Sequence, residues 1–239
     1  MFTLLLILLI LVYLILVLRY YYRTSNEAIT IIQCDVHSFQ PTLLQERQPI
    51  VCKGVGSIVA VQDFAQDHVS DDAHMTSKTI SARDATVSAL YDRLNAGAWY
   101  HQHEHATLSM TPSGTAEHTP SPRQSWYDIF MTIQLRGTRH VRIYAPTETA
   151  RLWRVCTSQH ALFCHSERAA EEDEDPAAQY TDIVLSEGDA LLLPMQWWID
   201  DVPADAPHPS GGDDNASAHV NLGWRNPFSS LHAVARSFL

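Results

Sequence analysis

Glu187-Gly188-Asp189-Ala190-Leu191-Leu192-Leu193-Pro194-Met195-Gln196-Trp197-Trp198-Ile199-Asp200 is the stretch that decides the fold. It opens as a tight turn: Gly188 tolerates positive φ, and Asp189 can accept hydrogen bonds from nearby backbone amides. A short apolar run follows. Pro194 then marks a strand end or bulge, because it cannot donate to a central ladder. Trp197 and Trp198 supply bulk to wall one side of a cavity.

Upstream, Gln134-x-x-Gly137-x-Arg139-x-x-x-Ile143-Tyr144-x-Pro146 predicts a hairpin, with strands over Tyr127–Leu135 and Arg139–Tyr144 around a turn at Arg136-Gly137-Thr138. Further strands are predicted over Ile29–Ile32, Gln48–Val55, Tyr180–Leu185, Ala190–Pro194 and Ala218–Trp224. Helices are predicted over Ser38–Arg47, with Pro41 near its first turn, and over Thr149–Arg154. Ser81 to Asp84 resembles a capping box, and Val87, Leu90, Tyr91 and Leu94 follow at helical spacing before Gly97. Phe228–Leu239 fits a terminal helix, and Thr111–Pro122 and Asp201–Asp214 fit loops.

These segments resemble the cupin-like, JmjC-related 2-oxoglutarate oxygenases, including their asparaginyl hydroxylase type. The family's Gly-Asp-x-Leu-x-x-Pro-x-x-Trp-Trp-His is matched from Gly188 through Trp198, and its Gln-x-x-Gly-x-Lys hairpin at Gln134, Gly137 and Arg139. The likeness runs over roughly residues 29 to 226, with Pro49-Ile50-Val51 and Gly54 near its start. It implies a mainly β domain, a double-stranded β-helix (cupin or jelly-roll barrel) with flanking helices. The family holds Fe(II) with two histidines and a carboxylate. Counted back from Gly137, the His-x-Asp pair falls on Gln124 and Trp126, and the asparagine that usually follows falls on Phe130. The distal histidine falls on Ile199. All three metal positions have lost their ligands.

Asp128, Asp200, His219 and His118 are the candidate substitutes. Asp128 shares a strand face with Trp126, whereas Asp200 lies one residue from Ile199 and so faces the other way unless a bulge intervenes. Arg139 stands where the family's lysine pairs with the distal carboxylate of 2-oxoglutarate, and a guanidinium can hold a carboxylate bidentately. The alternative for Arg139 is a strand arginine satisfied by a nearby Asp or Glu. His101, His103 and His105 alternate and would share one strand face, either as metal ligands or as a polar strand.

Met1–Leu18 carries no charge and would form a helix about 27 Å long, close to the ~30 Å hydrocarbon core. Arg19-Tyr20-Tyr21-Tyr22-Arg23 then resembles an interfacial belt. The expected organisation is a transmembrane anchor over 1–18, a juxtamembrane tether over 19–28, and a cupin-like domain over 29–239. That domain carries a disordered acidic insertion near 166–178, around Glu171-Glu172-Asp173-Glu174-Asp175. The flanking arginines favour a single-pass protein with a cytoplasmic domain. Asn215-Ala216-Ser217 would be glycosylated only on the lumenal side.

A net charge of −11 removes electrostatic support for nucleic-acid binding. Cys34, Cys52, Cys156 and Cys164 have no Cys-x-x-Cys spacing and fit plain thiols. The sequence therefore predicts a membrane-anchored pseudoenzyme that binds or interacts, with a protein partner and no resident cofactor. Its alternative is an active oxygenase using Fe(II) and 2-oxoglutarate through relocated ligands.

Overall fold

The structure is a computed structural model that describes residues 2–22, 30–69, 77–81, 83–94, 102–111, 122–125, 127–152, 159–160, 163–165, 178–202 and 217–225. Trp126, His101, His118, Asn215, Cys156, the acidic run 166–177 and the expected terminal helix lie outside these residues.

Two sheets dominate the described residues. One runs in spatial order β1 (Ile32–Asp35), β2 (Ile50–Lys53), β11 (Ala190–Pro194), β6 (Ile129–Arg136), β13 (Ser217–Arg225), β4 (Gln102–Thr111) and β3 (Ser77–Ser81). The other runs β10 (Tyr180–Leu185), β7 (Arg139–Tyr144), β12 (Trp198–Asp201), β5 (Arg123–Ser125), β9 (Phe163–His165) and β8 (Gln159–His160). β1 and β2 pair parallel, and the other described pairs are antiparallel.

Strand alternation divides the core into layers. On β6 and β13 one set, Ile129, Met131, Ile133, Val220, Leu222 and Trp224, faces the helices α2 (Val59–His68) and α3 (Ala85–Arg93) through Phe64, Val87 and Leu90. The opposite set looks between the sheets. There Phe130, Leu191, Leu193 and Val51 of the first sheet pack on Val141, Ile143, Leu185 and Ile199 of the second, with Trp197 among them. Full burial of these groups is the main stabilising contribution, at about 1.5–3 kcal/mol per large aliphatic or aromatic side chain.

The hairpin and the Gly-Asp turn form as predicted. Gly137 and Gly188 adopt φ of +73° and +82°, and the Ser186 amide donates to Asp189 Oδ2 at 2.9 Å. Gly188 also meets Gly56, whose amide donates to the Gly188 carbonyl at 3.0 Å. A Cβ on Gly56 would stand 2.7 Å from Gly188 Cα, so the turn docks backbone to backbone.

Several local expectations shift. Pro41–Glu46 is a 3-10 helix. The strand expected over Ile29–Ile32 begins instead at Ile32. α3 is capped by Asp84 rather than Ser81: Asp84 Oδ1 accepts from the Thr86 amide at 3.0 Å. The Thr86 hydroxyl bond to that carboxylate, with the helical amides beside it, holds Asp84 below the usual carboxylate range. α2 and β3 had no predicted counterpart, and β12 continues the chain past the tryptophans into what had been assigned to a loop from Asp201.

α1 spans Phe2–Tyr22, so helix covers Arg19 to Tyr22, where the tether was expected to begin. Its described side chains, Thr3 to Ile15, are all exposed and cover about 20 Å of axis. Among the described residues no helix is long and apolar enough to cross a membrane.

Candidate functional site: a buried arginine–aspartate cluster

The space between the sheets has an apolar end and a polar end, and the same strands build both. β7 contributes Ile143 and Val141 and then Arg139. β12 contributes Ile199 and then Asp201, and β6 contributes Phe130 and then Thr132 and Gln134. Register fixes the partners: Ile199 stands opposite Ile143, Asp201 opposite Val141, and Asn221 opposite Thr132.

At the polar end Arg139 is 7% exposed and bonded on two sides. Its Nε donates to Asp201 Oδ1 at 2.6 Å, and its Nη1 donates to Thr132 Oγ1 at 2.8 Å. Its Nη2 is 2.5 Å from the same Asp201 oxygen but off the hydrogen-bond axis, which makes it an ion pair without a third bond. Arg123 Nη2 donates to Asp201 Oδ2 at 2.9 Å. Asp201 thus gives one oxygen to each guanidinium. Burial alone would raise its carboxyl, but Arg139 and Arg123 hold it well below the usual carboxylate range. Burial lowers the Arg139 pKa, and the Asp201 charge opposes that shift.

His219 completes this end from β13, where it stands opposite Gln134. Burial, reinforced by the positive charge of Arg139, pushes its pKa well below 6.5, so the imidazole is neutral. Its Nε2 has no hydrogen-bond partner, and neither do Asn221 Oδ1, Thr107 Oγ1 and Gln134 Oε1. Each such buried atom costs about 1–3 kcal/mol unless something fills the bond.

The sequence-predicted positions disperse around this cluster. Ile199 is fully buried among apolar groups. Gln124 pairs with Trp198 and shares its face, away from Ile199, and its Nε2 donates to the Gln196 carbonyl at 2.7 Å. Arg123 is the residue directly across from Ile199. Trp197 lies in the apolar layer, whereas Trp198 turns to the other side of β12, against Tyr144 and Leu152, and donates to Thr149 Oγ1 at 3.0 Å. The two tryptophans therefore do not wall one cavity. Asp200 sits opposite Arg142 on that outer face, its carboxyl raised by burial and by Asp201. Asp128 precedes β6, where its backbone ties to Trp224 and Met195. β4 includes His103 and His105 as strand residues. Asp201 was missed as a site residue, although period-two spacing from Ile199 points to it: residue 201 shares the face of residue 199.

The residues present do not fit a divalent metal at the position the sequence resemblance indicates. The face opposite Ile199 carries a guanidinium, and Asp201 is already shared by two arginines. Among the described residues no three His, Cys, Asp or Glu side chains gather as a metal site.

Two packed sheets with helices over one outer face and a buried polar cluster between them define a cupin-like β domain. The JmjC domain family model matches residues 100–227, more than half of the chain. The chain belongs to the JmjC domain family. Two solved structures are similar. The X-ray structure of E. coli ycfD has 14% identity and a TM-score of 0.46, covering 80% of this chain and 54% of that one. The crystal structure of the Escherichia coli ribosomal oxygenase YcfD has 14% identity and a TM-score of 0.44, covering 79% and 52%. This chain spans about half the length of those two proteins. No curated protein matches it.

Proposed function

We propose that this chain is a non-catalytic JmjC relative, a double-stranded β-helix kept as a binding or interaction module at a membrane surface. One observation carries the reading: Asp201 lies between Arg139 and Arg123, across the strands that would carry an iron site. The guanidinium suited to an incoming carboxylate already holds one from its own chain. The excess guanidinium charge repels Fe(II), and the Asp201 carboxylate competes with 2-oxoglutarate for Arg139 and Arg123. The exposed residues Leu4 to Ile15 of α1 support a membrane contact, and the −11 charge argues against nucleic acid as partner. A protein partner fits this reading.

Iron content and 2-oxoglutarate turnover of the anaerobically purified full chain test the catalytic half of the proposal, which expects neither. Resistance of the membrane-bound chain to alkaline carbonate tests the anchor. Loss of a glycan in Asn215→Gln would place the domain on the lumenal side and overturn the cytoplasmic placement.

A second reading, an oxygenase with relocated ligands, is favoured by one observation. His219 is neutral and buried, and its Nε2 lacks a partner, as a metal-ready imidazole would. It needs two further donors beside His219, and among the described residues the neighbouring carboxylate, Asp201, is shared by two arginines.

A further inference from the structure

Cys34 and Cys52 stand directly opposite each other in the parallel pair of β1 and β2. Neighbouring strands lie about 4.8 Å apart, inside the roughly 4.4–6.8 Å Cα separation that a disulfide spans. Both thiols are free. They differ in access. Cys34 is partly exposed on β1, the edge of its sheet, whereas Cys52 is buried on β2. Burial, and then the neighbouring Cys34, push the Cys52 thiol up to about 12, and Asp35 and Asp189 add to the shift. Cys52 is thus protonated at neutral pH, and Cys34 is the sulfur that meets an external reagent.

We propose that Cys34 and Cys52 form a redox dithiol whose oxidant is a small disulfide of the glutathione class. The Cys34 thiolate attacks one sulfur of that disulfide, which releases one small thiol and leaves a mixed disulfide on Cys34. Cys52 then gives up its proton to solvent and attacks Cys34 Sγ. This displaces the second small thiol and closes the Cys34–Cys52 bond. Two electrons pass from the protein to the small disulfide, and two reduced small thiols leave. The high pKa of Cys52 makes the closing step slow, because little of it is thiolate. It also makes Cys52 a poor leaving group when the bond is reduced through Cys34, so the bond is slow both to form and to break. Once formed, it fastens β1, the first strand after α1, to β2 and so to the body of the sheet.

The test incubates the full chain, in detergent, with mixtures of reduced and oxidised glutathione, followed by acid quench, alkylation and peptide mass spectrometry. The wild type is expected to yield a linked Cys34–Cys52 peptide that rises with the oxidised fraction. Cys52→Ser is expected to accumulate a glutathione adduct on Cys34, and Cys34→Ser to leave Cys52 unmodified. Both cysteines remaining alkylatable in oxidised glutathione alone would overturn the proposal, as would either one pairing instead with Cys156 or Cys164. The wild-type titration decides the matter even if a serine variant fails to fold.

Discussion

Arg139 and Asp201 meet between the sheets, Nε to Oδ1 at 2.6 Å, and Arg123 takes the other oxygen of the same carboxylate. Two strands thereby share one buried charge with a third, and the interior is set against cations. Removing one member of such a cluster leaves the others desolvated and unpaired. Asp201→Asn is therefore expected to lower unfolding free energy by about 3–5 kcal/mol. Replacing Arg139, Arg123 and Asp201 together by Met, Met and Leu should recover most of that loss. Urea unfolding of the three proteins checks it. Equal destabilisation of the single and triple variants would show that the cluster is not the cause.

Acid should loosen this end of the core in two stages. The folded pKa of His219 lies below its ordinary 6.5. The unfolded chain therefore binds more protons below 6.5, and stability falls as pH drops through that window, by up to about 1.4 kcal/mol per pH unit. Asp201 is also depressed, so its contribution is complete above 3.8 and is lost below it. Asp200, raised by burial, acts with the opposite sign, its contribution declining as pH rises. Comparing wild type with His219→Gln cancels the shared Asp terms. The wild type should lose more Tm than the variant between pH 7 and pH 5.

The Gly-Asp turn is a second point of failure. Gly56→Ala places a methyl 2.7 Å from Gly188 Cα, backbone that cannot swing aside. The expected cost is about 1–3 kcal/mol. Gly188→Ala should cost about 1–2 kcal/mol by strain at φ +82°, since its own Cβ would have 3.5 Å of room. Thermal unfolding of both variants compares contact with strain directly.

How much of this was legible in the sequence depended on where each residue type is forced. Gly137, Gly188, Asp189 and Pro194 punctuate the chain in ways few alternatives satisfy, so the hairpin and the turn into β11 were readable. α2 was not, because Val59 to His68 carries no capping side chain and only Ala60, Val61 and Phe64 are buried. Ser81 competed with Asp84 for the α3 cap, and only the backbone geometry decides for Asp84. Arg139 was recognised as a carboxylate partner. Its partner, Asp201, falls in a stretch that reads as a loop, and the neighbouring Asp200 sends its side chain out by the other face. Orphaned atoms such as His219 Nε2 arise from the packing of three strands and have no sequence signature.

Restoring the resemblance at one position should not restore chemistry. Ile199→His inserts an imidazole into an apolar layer, directly across from Arg123. The expected result is a loss of roughly 2–4 kcal/mol of stability and no gain of iron, measured by urea unfolding and metal analysis of the purified variant.

The proposed non-catalytic role rests on the Arg139–Asp201–Arg123 cluster standing in place of an iron and co-substrate site. Its most direct test is metal analysis of the full chain purified anaerobically in detergent, with succinate formation measured after adding Fe(II) and 2-oxoglutarate. The account predicts substoichiometric iron and no succinate above the no-protein background. One iron per chain, with 2-oxoglutarate converted to succinate, would contradict it and make His219 the first residue to replace.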